Sequence, residues 1–230
     1  MYSSKTNPDF IRSILGEQYV EMTEGNIAKG DPFGVYKDEN PFNMFVRIAF
    51  NNIRVAFLTF LGGLSLGVVT FRLLWSNGIM LGCFQYMFFS HGLGLQSILV
   101  VWIHGVIEIS SIVIAATAGF ILANGILFPG TFPRIESFRR NARNAAKVMI
   151  ALVPFFIAAA FLESYVTHLM SQTFDEHNNG GIPVWVSVVI LASSILLITW
   201  YFIIWPIKLK KKGTLINNNG IVKKALGTHA

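Results

Sequence analysis

His104 and Glu108 stand four residues apart in a stretch, Ile98 to Phe128, that is otherwise almost wholly apolar. Side chains four residues apart share one helical face, so the imidazole and the carboxylate emerge together. Down that face the side chains shrink to Ser111, Ala115 and Gly119. An apolar helix with one small, polar stripe suits burial among other membrane helices. Ionisable groups in such a place are costly to insert, so they answer to a structural or functional demand. Glu163 and His168 lie in a later apolar run, and Asn51, Asn52 and Arg54 at the head of an earlier one.

Several chemistries compete for these residues. An i, i+4 pair can present two ligands to one metal ion, and Glu163 or His168 could supply a third. Spacing alone does not bring them together and nothing matches HExxH, so no metal and no cofactor is expected. Intramembrane glutamate proteases use a His-x-x-x-acid arrangement. Glu108 and Glu163 each stand alone in sequence, without the paired glutamates that activate water, so no catalytic residue and no enzyme is expected. Proton or ion translocation is better founded. At 1.5 Å per residue Glu108 lies about 20 Å from one end of its helix and Arg54 about 15 Å from the other side. The depths overlap, which predicts an Arg54–Glu108 ion pair, with His104 or Asn51 completing the hydrogen bonds. The plainer reading is that Asn51, Asn52, Arg54, His104, Glu108 and Glu163 form an intramembrane cluster that holds the bundle together.

The elements that must position these groups are membrane helices. Of the 230 residues 53% are hydrophobic and 13% charged, against roughly 25% charged in soluble domains. The mean hydropathy is +0.55. The net charge of +6 comes from basic residues clustered beside apolar runs, as orientation signals do, and nucleic acid is not an expected partner. The only cysteine, Cys83, has no second cysteine to pair with. No cleavable signal peptide is expected.

We read residues 1–42 as an N-terminal interfacial segment carrying one amphipathic helix, about Phe10 to Glu24, residues 43–207 as the membrane domain, and 208–230 as a basic tail, disordered after Gly213. The spacing of apolar runs predicts a first span from Asn43 to Leu74, with Gly63 and Gly67 forming a GxxxG contact suited to dimerisation. Next comes a short run, Ile79 to Ser90, then the central helix, Val148 to Met170 with Pro154 inside it, and Val184 to Ile207 with Trp200 and Trp205 near its end. A span needs about 20 residues, so the short run reads as re-entrant. Arg134, Arg139, Arg140, Arg143 and Lys147 form a basic loop over 129–147, and Lys208, Lys210, Lys211 and Lys212 follow the last span. Asp175 and Glu176 mark an acidic loop. The positive-inside rule then puts both basic segments in the cytoplasm and the acidic loop outside. With a re-entrant second segment the N-terminus is cytoplasmic; if that segment spans, it is outside. The expected fold is an all-α polytopic bundle of four or five spanning helices plus the N-terminal helix.

Six stretches recur together in order: QYVEMTEGNIAKGDPFGVY (Gln18 to Tyr36), NNIRVAFLTFLGG (Asn51 to Gly63), NGIMLG (Asn77 to Gly82), HGVIEIS (His104 to Ser110), FPGTFPR ending at Arg134, and AAAFLESYVTH (Ala158 to His168). On these the chain resembles the stage II sporulation protein M family of bacterial membrane proteins. The resemblance implies a multi-pass protein of the bacterial inner membrane without established enzymatic activity. It implies a scaffold that recruits or positions a cell-envelope complex engaged in peptidoglycan remodelling, with envelope proteins and the lipid bilayer as partners. A homo-oligomer, a dimer first, is expected. The alternative is a transporter or channel subunit whose polar path runs through His104, Glu108 and Glu163.

Overall fold

The computed structural model describes residues 9–36, 40–175, 181–211, 214–216 and 222–224. Glu176, Lys212 and most of the C-terminal tail lie outside the described residues. The architecture is an all-α polytopic bundle. Its helices are α1 (Asp9–Leu15), α2 (Glu17–Ala28), α3 (Pro41–Leu61), α4 (Val68–Ser90), α5 (Gly94–Leu127), α6 (Arg134–Thr173) and α7 (Val184–Leu209). Four stretches are long and apolar enough to cross a membrane: Pro41–Ser65, Gly94–Leu127, Arg134–Thr173 and Val184–Leu209.

The 34 residues of α5 make about 51 Å of helix, and α3, α4, α6 and α7 all pack on it. Its buried face includes His104, Ser111, Ala115 and Gly119, the small polar stripe expected from the spacing. Lipid tails are as apolar as leucine, so association rests on close packing rather than on hydrophobic burial, and small residues permit it. At the tightest point Gly63 lies on the backbone of Gly119: a Cβ added to Gly63 would fall on the Gly119 carbonyl oxygen. α7 buries only Ser187 and Ser194 against the bundle and turns Leu196, Ile203 and both Trp200 and Trp205 outward.

The predicted first span does not run from Asn43 to Leu74. After Leu61 the chain tightens into a 3₁₀ turn, Gly62–Ser65, then passes through two left-handed residues, Leu66 (φ 58) and Gly67 (φ 88), and reverses into α4. The Thr70 hydroxyl donates to the Thr59 carbonyl at 2.8 Å and pins the two arms together. Hydropathy is continuous through this corner, which is why it read as one helix. Gly63 and Gly67 are therefore not successive turns of one helix face; both are buried within the chain, Gly67 in a left-handed turn that suits glycine.

The short second segment is the C-terminal half of α4, a continuous helix of 23 residues, about 34 Å long, which is not among the four stretches apolar enough to cross a membrane. Its far end is tied to the start of α5: Gln85 donates to Ser97 Oγ at 2.5 Å and accepts from Trp102 Nε1 at 3.1 Å. Gly125 abuts Asn141 and His104 meets Thr167, so α6 returns antiparallel along α5. α3, α5 and α7 run one way, α4 and α6 the other.

The N-terminal segment packs on the bundle. Gly16, at φ 90, splits the single predicted helix into α1 and α2, and Arg12 bridges the break by pairing with Glu17 and, at 2.9 Å, with Glu24. Phe33 is fully buried, stacked on Phe88 at 5.2 Å and edge-on to Phe174 at 6.2 Å. The contact with Phe174 puts the N-terminal segment at the acidic-loop end of the bundle. The expectation of an N-terminus at the basic end does not hold, because α4 crosses the bundle instead of turning back. The basic stretch is helical from Arg134, with Arg140 held to Glu136 at 2.7 Å and over the Phe132 ring at 4.1 Å. In the tail, Thr214–Ile216 pairs antiparallel with Val222–Lys224 where disorder was expected.

Two outcomes follow from this packing. Gly63→Val forces a side chain into the Gly119 backbone and should cost about 1–3 kcal/mol, seen as a lower thermal midpoint in detergent, while the outward Leu64→Ala leaves the midpoint within error. Phe33→Ala should expose the 9–36 segment to limited proteolysis while residues 41–175 stay protected; equal resistance in the two proteins would show that the ring does not anchor the cap.

Candidate functional site

Glu163 sits on α6 in a π-helical stretch, Leu162–Thr167. Its i→i+5 bonding inserts an extra residue into the turn, a feature that concentrates at functional sites. The stretch lies beyond Pro154, and it directs both Glu163 and Thr167 at α5. Glu163 Oε2 lies 3.8 Å from His104 Nε2, and one ligand atom each from His104, Glu108 and Glu163 fall within 4.8 Å of one another. Two carboxylates that spacing left apart are thus neighbours.

The imidazole is 4% exposed and held from behind. Thr167 donates to the Val100 carbonyl at 3.5 Å and lies 3.0 Å from His104 Nδ1. A hydroxyl has one proton. Spent on Val100, it leaves Thr167 to accept from Nδ1–H, an assignment made from the hydrogen-bond network. In the neutral ring this leaves Nε2 as the unprotonated nitrogen, and it faces Glu163. This is the way a partner on one ring nitrogen sets the role of the other.

Asn52 completes the cluster from α3. It is 6% exposed and its amide lies against the Glu108 carboxylate. Its Nδ2 nevertheless has no acceptor at hydrogen-bond geometry, one of three such buried side-chain atoms among the described residues, with Ser164 Oγ and Ser187 Oγ. Asn51 is exposed and reaches Asn52 Oδ1 only at 3.5 Å. Arg54 is exposed, and among the described residues no ion pair joins it to Glu108, so the predicted pair is not made. Arg47, about two turns before Arg54, is a cation whose charge reaches Glu163. His168 lies one turn beyond Thr167, beside Gln172 and outside the cluster.

A cavity of about 340 Å³ opens onto the three groups. Its walls are Met80, Leu81 and Phe84 of α4 and Val101, Gly105 and Ile109 of α5, and it is roofed by Ile14, Leu15 and Tyr19 of α1 and α2. Tyr19 feels the charge of Glu163, and burial pushes its phenol up to about 12. Sequence reasoning missed Thr167 and Tyr19. Thr167 follows Glu163 by four residues, the spacing that singled out His104 and Glu108, and Tyr19 lies on the apolar face of the N-terminal helix.

The phenol's ordinary value is 10.0, so the folded state holds its proton more tightly than the unfolded one. The stability that this burial contributes is intact below pH 10 and is lost as pH rises toward 12. The ultraviolet phenolate titration of the wild type minus that of Tyr19→Phe should therefore show one group ionising near pH 12. A difference centred at pH 10 would mean that Tyr19 is open to water.

The comparisons agree with this architecture. Residues 2–168 match the family described as stage II sporulation protein M, a stretch that takes in every residue of the cluster and its roof. No curated protein and no solved structure matches. The chain belongs to the stage II sporulation protein M family.

Proposed function

We propose that this protein is a multi-pass subunit of the bacterial cytoplasmic membrane that binds a cation at His104, Glu108 and Glu163 and passes it through the bundle, as a transporter or channel subunit does. One observation carries the reading. Three ionisable groups of the apolar interior, His104, Glu108 and Glu163, converge on a cavity of about 340 Å³ instead of being closed off by packing. Protein interiors are otherwise packed to crystal-like density. Ionisable groups facing a cavity between membrane helices mark ion and proton pathways. The family is not known for enzymatic activity.

The scaffold reading draws on a different feature. α6 has 40 residues, about 60 Å of helix, twice a hydrocarbon core of about 30 Å. Its N-terminal half presents Arg134, Arg139, Arg140, Arg143 and Lys147 to solvent. A rigid basic post of this kind suits docking to an acidic protein or to anionic lipid heads.

Reconstitution into liposomes separates the two. Wild-type protein should dissipate an imposed proton or cation gradient, and Glu108→Gln should slow it at least tenfold while eluting as the same folded species in size exclusion. Undiminished flux in that variant refutes the path. Co-purification of an envelope hydrolase, lost when the five basic residues are neutralised, would favour scaffolding.

A further inference from the structure

The cation reading leaves open which cation, and the donor set narrows it. We propose that His104, Glu108 and Glu163 form a binding site for one divalent first-row metal ion, Zn²⁺ first. His104 Nε2 and one oxygen of each carboxylate are its ligands, and the remaining position opens to the cavity. The inference rests on the reading of the cluster as a cation site.

Four observations support it. The donors are an imidazole nitrogen and two carboxylate oxygens, a mixed N/O set that suits Zn²⁺, Mn²⁺ or Fe²⁺ better than Mg²⁺ or an alkali ion. They come from α5 and from the π-helical turn of α6, two packed helices, and their ligand atoms already lie within 4.8 Å of one another. Tetrahedral bonds of about 2.0–2.2 Å need donors roughly 3.3 Å apart. The separation of 3.8 Å between His104 and Glu163 is about 0.5 Å longer than that. Metal-bound histidines donate their second ring N–H to an outer partner, and Thr167 stands at that position, 3.0 Å from Nδ1. Finally, Asn52 Nδ2 is a buried donor without an acceptor beside Glu108, placed to hold the carboxylate oxygen that the metal leaves free or a water on it.

Charge gives the same answer. Two carboxylates this close repel each other unless a proton or a cation lies between them. The nearest arginine of α3, Arg47, acts on Glu163 from an exposed position. A bound M²⁺ neutralises both carboxylates and takes the Nε2 lone pair of a neutral imidazole, whose Nδ1–H remains free to donate to Thr167.

The full chain, purified in mild detergent and dialysed against chelator, should bind one equivalent of Zn²⁺ by calorimetry. Co²⁺ in its place should give the visible absorption of a low-symmetry site. Glu108→Gln and Glu163→Gln should weaken Zn²⁺ by about 100-fold, and Thr167→Val by about 10- to 100-fold with the ligands intact, the range set by lost outer partners. Where a variant fails to fold, the wild type answers by itself: Zn²⁺ should shield His104 from diethyl pyrocarbonate, read by mass spectrometry. Folded wild type that binds neither Zn²⁺, Co²⁺ nor Mn²⁺ stoichiometrically, or glutamine variants that bind as tightly, would overturn the site. Metal binding without flux upholds the site and refutes the transport reading. Proton flux without metal binding does the reverse.

Discussion

What α3 contributes to the site depends on how closely it can lie against α5. Gly63 and Gly119 put backbone on backbone, with no room for a methyl group on Gly63. That contact sets the register of two parallel helices. Eleven residues earlier on each, about three turns, the same register brings Asn52 to Glu108. A bulkier residue at either glycine would separate the axes and carry the amide away from the carboxylate. In a bilayer, where apolar burial gives helices no preference for one another over lipid, such steric fit decides the register. A structural contact near one end of the bundle thus positions a polar group well inside it.

The same geometry explains which polar residues were legible in the sequence. His104 and Glu108 lie on one continuous helix, so their spacing settled that they face one way. Depth arithmetic correctly brought the head of α3 to the level of Glu108 but selected Arg54. Rise per residue gives height and says nothing of azimuth. Arg54 follows Asn52 by two residues, about 200° around the helix, and so faces outward while Asn52 is buried. Glu163 was picked out as an isolated ionisable group. Its meeting with His104 depends on the π-helical insertion, which no spacing rule announces. Pro154 was the one visible sign of irregularity in α6.

The corner at 62–67 shows a different limit. Gly62, Gly63, Leu64, Ser65, Leu66 and Gly67 keep the hydropathy of a membrane helix while turning the chain around. Periodicity reports where apolar faces are, and a turn buried among helices has the same faces as the helices it joins. Glycine density is the signal of the turn in the sequence, and a GxxxG helix contact has the same composition. One long first span in turn leaves only a short second run, which is too short to span. Leu66 in the left-handed region costs roughly 1–2 kcal/mol, and the neighbouring ties of Ser65 to Gly62 at 2.6 Å and Thr70 to Thr59 at 2.8 Å hold it there.

Were the cluster only an adhesive between helices, its polar atoms would satisfy one another and its volume would be filled. Neither condition is met. Gln85 shows what adhesive looks like in this bundle: it is buried, its amide nitrogen and oxygen are both partnered, and it ties α4 to α5. At His104, Glu108 and Glu163 the backing is equally careful, with Thr167 fixing the imidazole, yet the opposite side is left open to a cavity and Asn52 Nδ2 is left without an acceptor. A buried polar group without a partner costs about 1–3 kcal/mol, and an underfilled cavity costs more. Groups oriented from behind and open in front are arranged to receive something. The roof over that opening, α1 and α2, is anchored at its far end by Phe33 and bridged across Gly16 by Arg12. Ile14, Leu15 and Tyr19 of these helices thus line the same cavity as the three side chains.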